Sequence, residues 1–220
     1  MNETLIVIAS KEEFEGLFPE VSAESAQESP VAVETLYDVF ICGVGVLEFS
    51  ANLAFILSKK QYKRVIQLGI CGAYYGHDLQ LCDVVRVDSE ILGDMGVQDR
   101  NGHFVPWSEV SGESITYAGE SPWNLPLGLA SLKSVAGVTV SCSTGTRYLS
   151  LRRSGMFNAD VESMEGAACF AVCRRFGVPA FQFRAVSNIA TDRDVSAWKI
   201  PEALFALKSA VLCPEYFPEV

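Results

Sequence analysis

Apolar and polar positions along the chain fall into two kinds of block: short runs nearly continuous in β-branched and aromatic residues, and longer segments whose apolar residues recur at helical spacing. LIVIAS (5–10) predicts a buried strand, and KEEFEGLF (11–18) a short helix after it. A polar stretch, ESAQESP, ends at Pro30 and predicts a loop. YDVFICGVG (37–45) then predicts a strand entering a glycine turn, and VLEFSANLAFILSKK (46–60) the helix that completes a β-turn-α unit. RVIQLGICGAYYG (64–76) and CDVVRVDSEIL (82–92) predict two more strands. Residues 93–125 mix Gly, Pro, Trp and charge, which predicts a long irregular excursion of the kind that carries substrate contacts.

VTVSCSTGT (138–146) predicts a strand with a hydroxyl- and glycine-rich end, and RYLSLRR (147–153) a helix. The helix after VESMEGAA (161–168) has clear stop signals: Gly177 at its C-terminal position, Pro179 two residues later, and Arg174 and Arg175 at the negative end of its dipole. PAFQFRAVS (179–187) is too apolar for a half-exposed strand and predicts one covered on both faces, ending at Ser187-Asn188. A last helix, EALFALKSAVL, follows Pro201. Strands alternating with helices indicate an α/β domain around a mostly parallel or mixed sheet. With no repeat, low-complexity segment or linker, residues 1–220 read as one domain.

Composition narrows the function. An apolar share of 49% suits a globular core, and 27 acidic against 17 basic side chains, a net charge of -10, argue against a nucleic-acid surface. Seven cysteines without a regular framework, beside no signal peptide, predict reduced thiols and a cytoplasmic protein. Cys169 and Cys173, four apart on one helix face, read as core. Two histidines, neither at zinc-ligand spacing, predict no metal, and no apolar run is long enough to cross a membrane.

Four motifs carry candidate chemistry. GVGVLE (43–48) has two glycines of a dinucleotide fingerprint but Glu48 where the third belongs, so it reads as a tight turn. STGT (143–146), with Thr144, could cradle a polar ligand edge or simply form a turn. Glu12 and Glu13 directly follow the first strand, at the sheet edge where α/β proteins place ligands. Glu165, between Met164 and Gly166-Ala167-Ala168, stands where a helix start packs closely. An ionised side chain there needs a partner, such as sugar hydroxyls or a helix N-terminal N–H.

Taken together, VESMEGAA, RAVSN and IASKEEF resemble the nucleoside phosphorylase and nucleosidase superfamily, and the resemblance continues through QLGICGAY and STGT over nearly the whole chain. Within it, Asn188 and the DRDVSAWKIP tail resemble the futalosine hydrolases, a family of the alternative menaquinone pathway. The resemblance implies a three-layer α/β sandwich with a central mixed sheet, commonly a homodimer, without a cofactor, acting on a purine nucleoside. It implies that Glu13 handles the attacking water, that Glu165 holds the ribose hydroxyls above Met164, and that Asn188 stabilises the departing base. Gly72, Thr144 and a stacking Tyr148 complete the implied substrate site.

Related adenosine-type nucleosidases carry Asp where this chain has Asn188. An amide is no Brønsted acid near neutral pH, but its adjacent acceptor and donor match a purine protonated at N7 and bearing a 6-oxo group, which favours hypoxanthine over adenine. Asp192 or a site water could supply the N7 proton. Lys11, Arg147, Arg193 and Lys199 are candidates to meet the substrate's distal carboxylate. The alternatives are a phosphorylase, a nucleosidase for methylthioadenosine, S-adenosylhomocysteine or aminodeoxyfutalosine, and a non-catalytic nucleoside-binding protein.

Overall fold

The computed structural model describes residues 3–33, 36–213 and 216. Its strands are β1 (Thr4–Ile8), β2 (Val31–Val33), β3 (Tyr37–Ile41), β4 (Arg64–Tyr74), β5 (Val84–Leu92), β6 (Gly96–Gln98), β7 (Phe104–Pro106), β8 (Thr116–Ala118), β9 (Lys133–Thr139), β10 (Val161–Ser163) and β11 (Ala180–Ala190). Its helices are α1 (Lys11–Leu17), α2 (Ala23–Glu28), α3 (Val46–Lys59), α4 (Trp107–Ser111), α5 (Leu127–Ala130), α6 (Arg147–Phe157), α7 (Gly166–Phe176) and α8 (Ile200–Val211).

Nine strands form one mixed sheet in the order β10-β9-β5-β11-β4-β1-β3-β2, with β8 on β5, while β6 and β7 make a separate hairpin. The long β4 does two jobs. Its first half pairs in parallel with β1, and its far end pairs antiparallel with β10, placing Glu162 opposite Gly72. Because β10 also pairs with β9, strands β4, β11, β5, β9 and β10 close into a ring.

Two helical layers cover the open part of the sheet. On one face Phe14 and Leu17 of α1, Ala23 and Ala26 of α2, and Leu204 and Leu207 of α8 bury Ile6, Ile8, Phe181 and Phe183. On the other, Phe49, Leu53 and Ile56 of α3 and Cys169, Phe170 and Cys173 of α7 cover Leu5, Val7, Phe40 and Val65. Strands with an apolar layer on both sides account for the apolar runs 5–8 of β1 and 39–41 of β3. The fold is the expected three-layer α/β sandwich around a mixed sheet, with Cys169 and Cys173 in its core.

Local differences from the sequence reading have physical reasons. The polar stretch before Pro30 contains α2, which buries only Ala23 and Ala26 and is capped by Ser22, too faint an apolar face to stand out. Residues 93–125 hold the β6–β7 hairpin, α4 and β8, all five residues or shorter. β9 ends at Thr139, so the hydroxyl-rich residues behind it form a loop. β11 continues past Ser187 to Ala190 through a bulge: Val186 pairs with Cys71 and Asn188 with Gly72, the partner that an even ladder would give to Ser187.

Candidate active site

A cavity of about 200 Å³ opens where β1, β4, β10 and β11 run out into loops and helix starts. Six of the seven residues singled out from the sequence line it: Glu13, Gly72, Thr144, Met164, Glu165 and Asn188. The seventh, Tyr148, lies outside it on α6, 72% exposed. The face that α6 buries carries Ser150 and Ser154, so the helix phase turns Tyr148 outward.

Glu13 is held by the start of its own helix. Ser10 caps α1 by accepting from the Glu13 N–H, and the Glu13 carboxylate accepts in return from the Ser10 N–H and hydroxyl, each at 3.1 Å, a capping box. Its other oxygen accepts from the Ile70 N–H at 2.8 Å. Burial pushes the Glu13 carboxyl above its usual range, Arg184 opposes that shift, and Glu165 adds to it.

Glu165 occupies the N-cap position of α7, yet its side chain caps a different helix. Its Oε1 accepts at 3.0 Å from the N–H of Gly45, the N-cap of α3. Gly45 has φ of +85°, a conformation that favours glycine, so the GVGVLE turn presents an N–H to this carboxylate. The other oxygen lies 3.5 Å from Nη2 of Arg184.

Arg184 was not singled out from the sequence. It is 2% exposed, yet it lines the cavity. Nε donates to Gln182 and Nη1 to the Ile70 carbonyl, leaving Nη2 with no hydrogen bond among the described residues. A signal existed: Gln182 and Arg184, two apart in an otherwise apolar strand, share one face and must find partners inside. Among the described lining residues Arg184 is the one cation, against Glu12, Glu13, Glu162 and Glu165.

Asn188, Gly72 and Glu162 form a row across β11, β4 and β10. A Cβ on Gly72 would lie 3.2 Å from Asn188 Nδ2 and 3.6 Å from Glu162 Cγ, so the missing side chain leaves a notch between amide and carboxylate. The Ser187 hydroxyl lies 2.9 Å from Asn188 Oδ1 and 3.2 Å from the Cys71 carbonyl oxygen. Glu162 accepts from both the N–H and the hydroxyl of Thr144, at 2.7 and 2.6 Å, and pairs with Arg153 at 3.4 Å. It therefore holds the STGT loop over the cavity.

Of the four candidate cations, Lys11 pairs with Glu15 and Glu24, Lys199 with Glu202, and Arg147 lies over Tyr75. Arg193 donates to the Ser143 hydroxyl and sits over the Trp198 ring, both residues of the cavity lining. Asp192 accepts from the Arg147 N–H. The cavity thus offers a carboxylate able to take a proton, a carboxylate and guanidinium able to hold hydroxyls, and an amide aimed into a notch. No described helix is long and apolar enough to cross a membrane.

The futalosine hydrolase of Thermus thermophilus is 30% identical over 175 residues, 77% of this chain and 76% of the relative. That of Streptomyces coelicolor is 30% identical over 182 residues, 80% of this chain and 77% of the relative. Two Helicobacter pylori structures share the fold at 15% identity, each match covering 96% of both chains. They are a native futalosine hydrolase, with a TM-score of 0.76, and a 5'-methylthioadenosine/S-adenosylhomocysteine nucleosidase complexed with a pyrrolidine ligand, with a TM-score of 0.75. The family model of the phosphorylase superfamily matches residues 4–211, and the chain belongs to that superfamily.

Proposed function

We propose that this protein hydrolyses the N-ribosyl bond of futalosine, releasing hypoxanthine and leaving dehypoxanthine futalosine, a step of menaquinone biosynthesis. The observation that carries this reading is the convergence of Glu13, Glu165 and Arg184 with the Asn188 amide in one cavity. The 30% identity to two futalosine hydrolases supports the choice of nucleoside.

Cleavage of an N-ribosyl bond passes through an oxocarbenium-like sugar, which nearby carboxylates stabilise. Glu13 takes the proton of the attacking water, and burial that raises its pKa makes it the stronger base. Glu165 accepts from the ribose hydroxyls, with Met164 packed against the sugar. Asn188 accepts from the protonated base through Oδ1 and donates to the 6-oxo group through Nδ2. Arg193, braced across two lining residues, meets the substrate's distal carboxylate. The assembly that goes with this reading is a homodimer.

A phosphorylase would need cations to hold phosphate. Arg184 is cationic, but Glu165 already faces it and Glu13 stands in the same cavity, so the site repels a dianion. The test is chromatography of the free base after incubation with futalosine, its 6-amino analogue and methylthioadenosine, each with and without phosphate. Phosphate-independent hypoxanthine from futalosine is the expected result. Adenine release, a phosphate requirement or an intact nucleoside would each overturn it.

A further inference from the structure

Behind the cavity, outside its lining, a second carboxyl is built into the ring of strands. Glu90 on β5 is 1% exposed. Its Oε2 accepts from the Thr139 hydroxyl and its Oε1 from Gln182 Nε2, both at 2.9 Å. The slot is made by two missing side chains: a Cβ on Gly137 would lie 2.6 Å from Glu90 Oε1, and one on Gly166 only 1.9 Å. Gln182 in turn accepts through Oε1 from Arg184 Nε at 2.8 Å. The guanidinium is then fixed by Nη1 on the Ile70 carbonyl at 2.9 Å, and Nη2 is left beside Glu165 in the cavity.

An ionised carboxylate only accepts hydrogen bonds, so it forces Gln182 to turn Nε2 toward it and Oε1 toward Arg184. A protonated Glu90 loses the charge that strengthens its bond from Gln182 Nε2, and while the Arg184 Nε–H still holds Gln182 Oε1, the amide is anchored less firmly behind it. We propose that Glu90 is a positioning residue: acting through Gln182, it fixes the Arg184 guanidinium in the cavity, and its proton controls that placement. The catalytic part of this inference rests on the hydrolytic reading given above.

Burial raises Glu90 to about 7, so its charge state changes near neutrality. The charged and titratable groups facing it are Arg184, which favours the ionised form, Glu165 at the start of α7, which opposes it, and Cys71 and Tyr74 on β4.

Two measurements test the relay. First, kcat and KM for base release are measured in the wild type, Glu90→Gln, Gln182→Met and the double variant. Each single change is expected to lower kcat about ten- to a hundredfold with KM within about threefold, as for a misplaced group. The double variant should be no slower than the slower single one. Losses that multiply, or a kcat for Glu90→Gln within about twofold of wild type, would overturn the proposal. Should Gln182→Met fail to fold, Glu90→Gln still decides through the second measurement.

The second follows the Arg184 Nε–H resonance of protein labelled with 15N-arginine, assigned by its loss in Arg184→Lys. In the wild type it is expected to shift between about pH 6 and about pH 8, and in Glu90→Gln to stay fixed, while Glu13→Gln keeps the shift. A resonance that does not move in the wild type, or still moves in Glu90→Gln, overturns the relay whatever the substrate. A resonance that moves as expected in a protein that cleaves none of the nucleosides upholds the relay and sinks the hydrolytic reading alone.

Discussion

Glu13→Gln separates two jobs carried by one side chain. The carboxylate completes the capping box of α1 with Ser10 and holds the Ile70 N–H with its other oxygen. Glutamine keeps one acceptor oxygen, so either the Ser10 or the Ile70 N–H faces an NH2 group, a loss of about 1–3 kcal/mol for a buried donor. In the opposite direction, the amide removes a charge that burial disfavours. The two effects offset, and Tm should move by no more than about 5 °C in a chain of this size. Catalysis has no such offset: loss of the proton acceptor should lower kcat about 10²- to 10⁴-fold. The assay is initial-rate base release at saturating substrate, beside calorimetric binding of the intact nucleoside, which should persist. Ser10→Ala supplies the contrast, because it disrupts the box at about 1 kcal/mol yet keeps the carboxylate, and should lose at least tenfold less kcat, by roughly the usual cap and base magnitudes. A Glu13→Gln enzyme within about threefold of wild type would refute the water-handling role. A Ser10→Ala enzyme as slow as Glu13→Gln would mean that Glu13 acts by placing the helix.

Asn188→Asp should shift the preference between 6-oxo and 6-amino nucleosides toward the amino form by about tenfold or more, read as a ratio of kcat/KM values; an unchanged ratio would remove the explanation of the amide. Gly166→Ala puts a methyl carbon 1.9 Å from Glu90 Oε1, and overpacking there should cost about 1–3 kcal/mol in a urea melt, with an unchanged midpoint counting against the tight slot. For Glu90 itself, the folded-state pKa of about 7 lies above the ordinary glutamate value of 4.5, so the folded protein holds that proton more tightly than the unfolded chain does. The associated stability is complete below 4.5 and is lost as pH rises through 7. Wild-type stability relative to Glu90→Gln should therefore fall by about 3 kcal/mol across that interval, and a difference independent of pH would contradict the assigned titration.

Much of the fold could be read from apolar runs because two layers of helix cover the same strands, which gives β1, β3 and β11 their largely apolar character. The same character hid the polar interior. Gln182 and Arg184 read as part of a core strand, and Glu90 as one acid in another, because nothing local says that β5 and β11 bring them together. Glu13, Glu165 and Asn188 stood out since each lies where an element begins or the ladder slips, places where a polar side chain conflicts with its surroundings. Tyr148 misled for the converse reason: its nearness to STGT in the chain says nothing about helix phase, and α6 packs with serines, Ser150 accepting from the Tyr75 N–H and Ser154 donating to the Ala159 carbonyl, that leave no apolar stripe to read.

The three-residue strand β10 is clasped by β9 on one side and by β4 on the other. A strand so short would ordinarily fray, and its amides would exchange with solvent through small local openings. Here any opening must break the ring, whose other members are the longest strands of the sheet. Its protected amides should exchange at the rate set by global unfolding, as slowly as those of β4. Glu162 lies within this strand and Glu165 two residues beyond it, so heat cannot melt that side of the site ahead of the whole, and activity and secondary structure should vanish at one temperature.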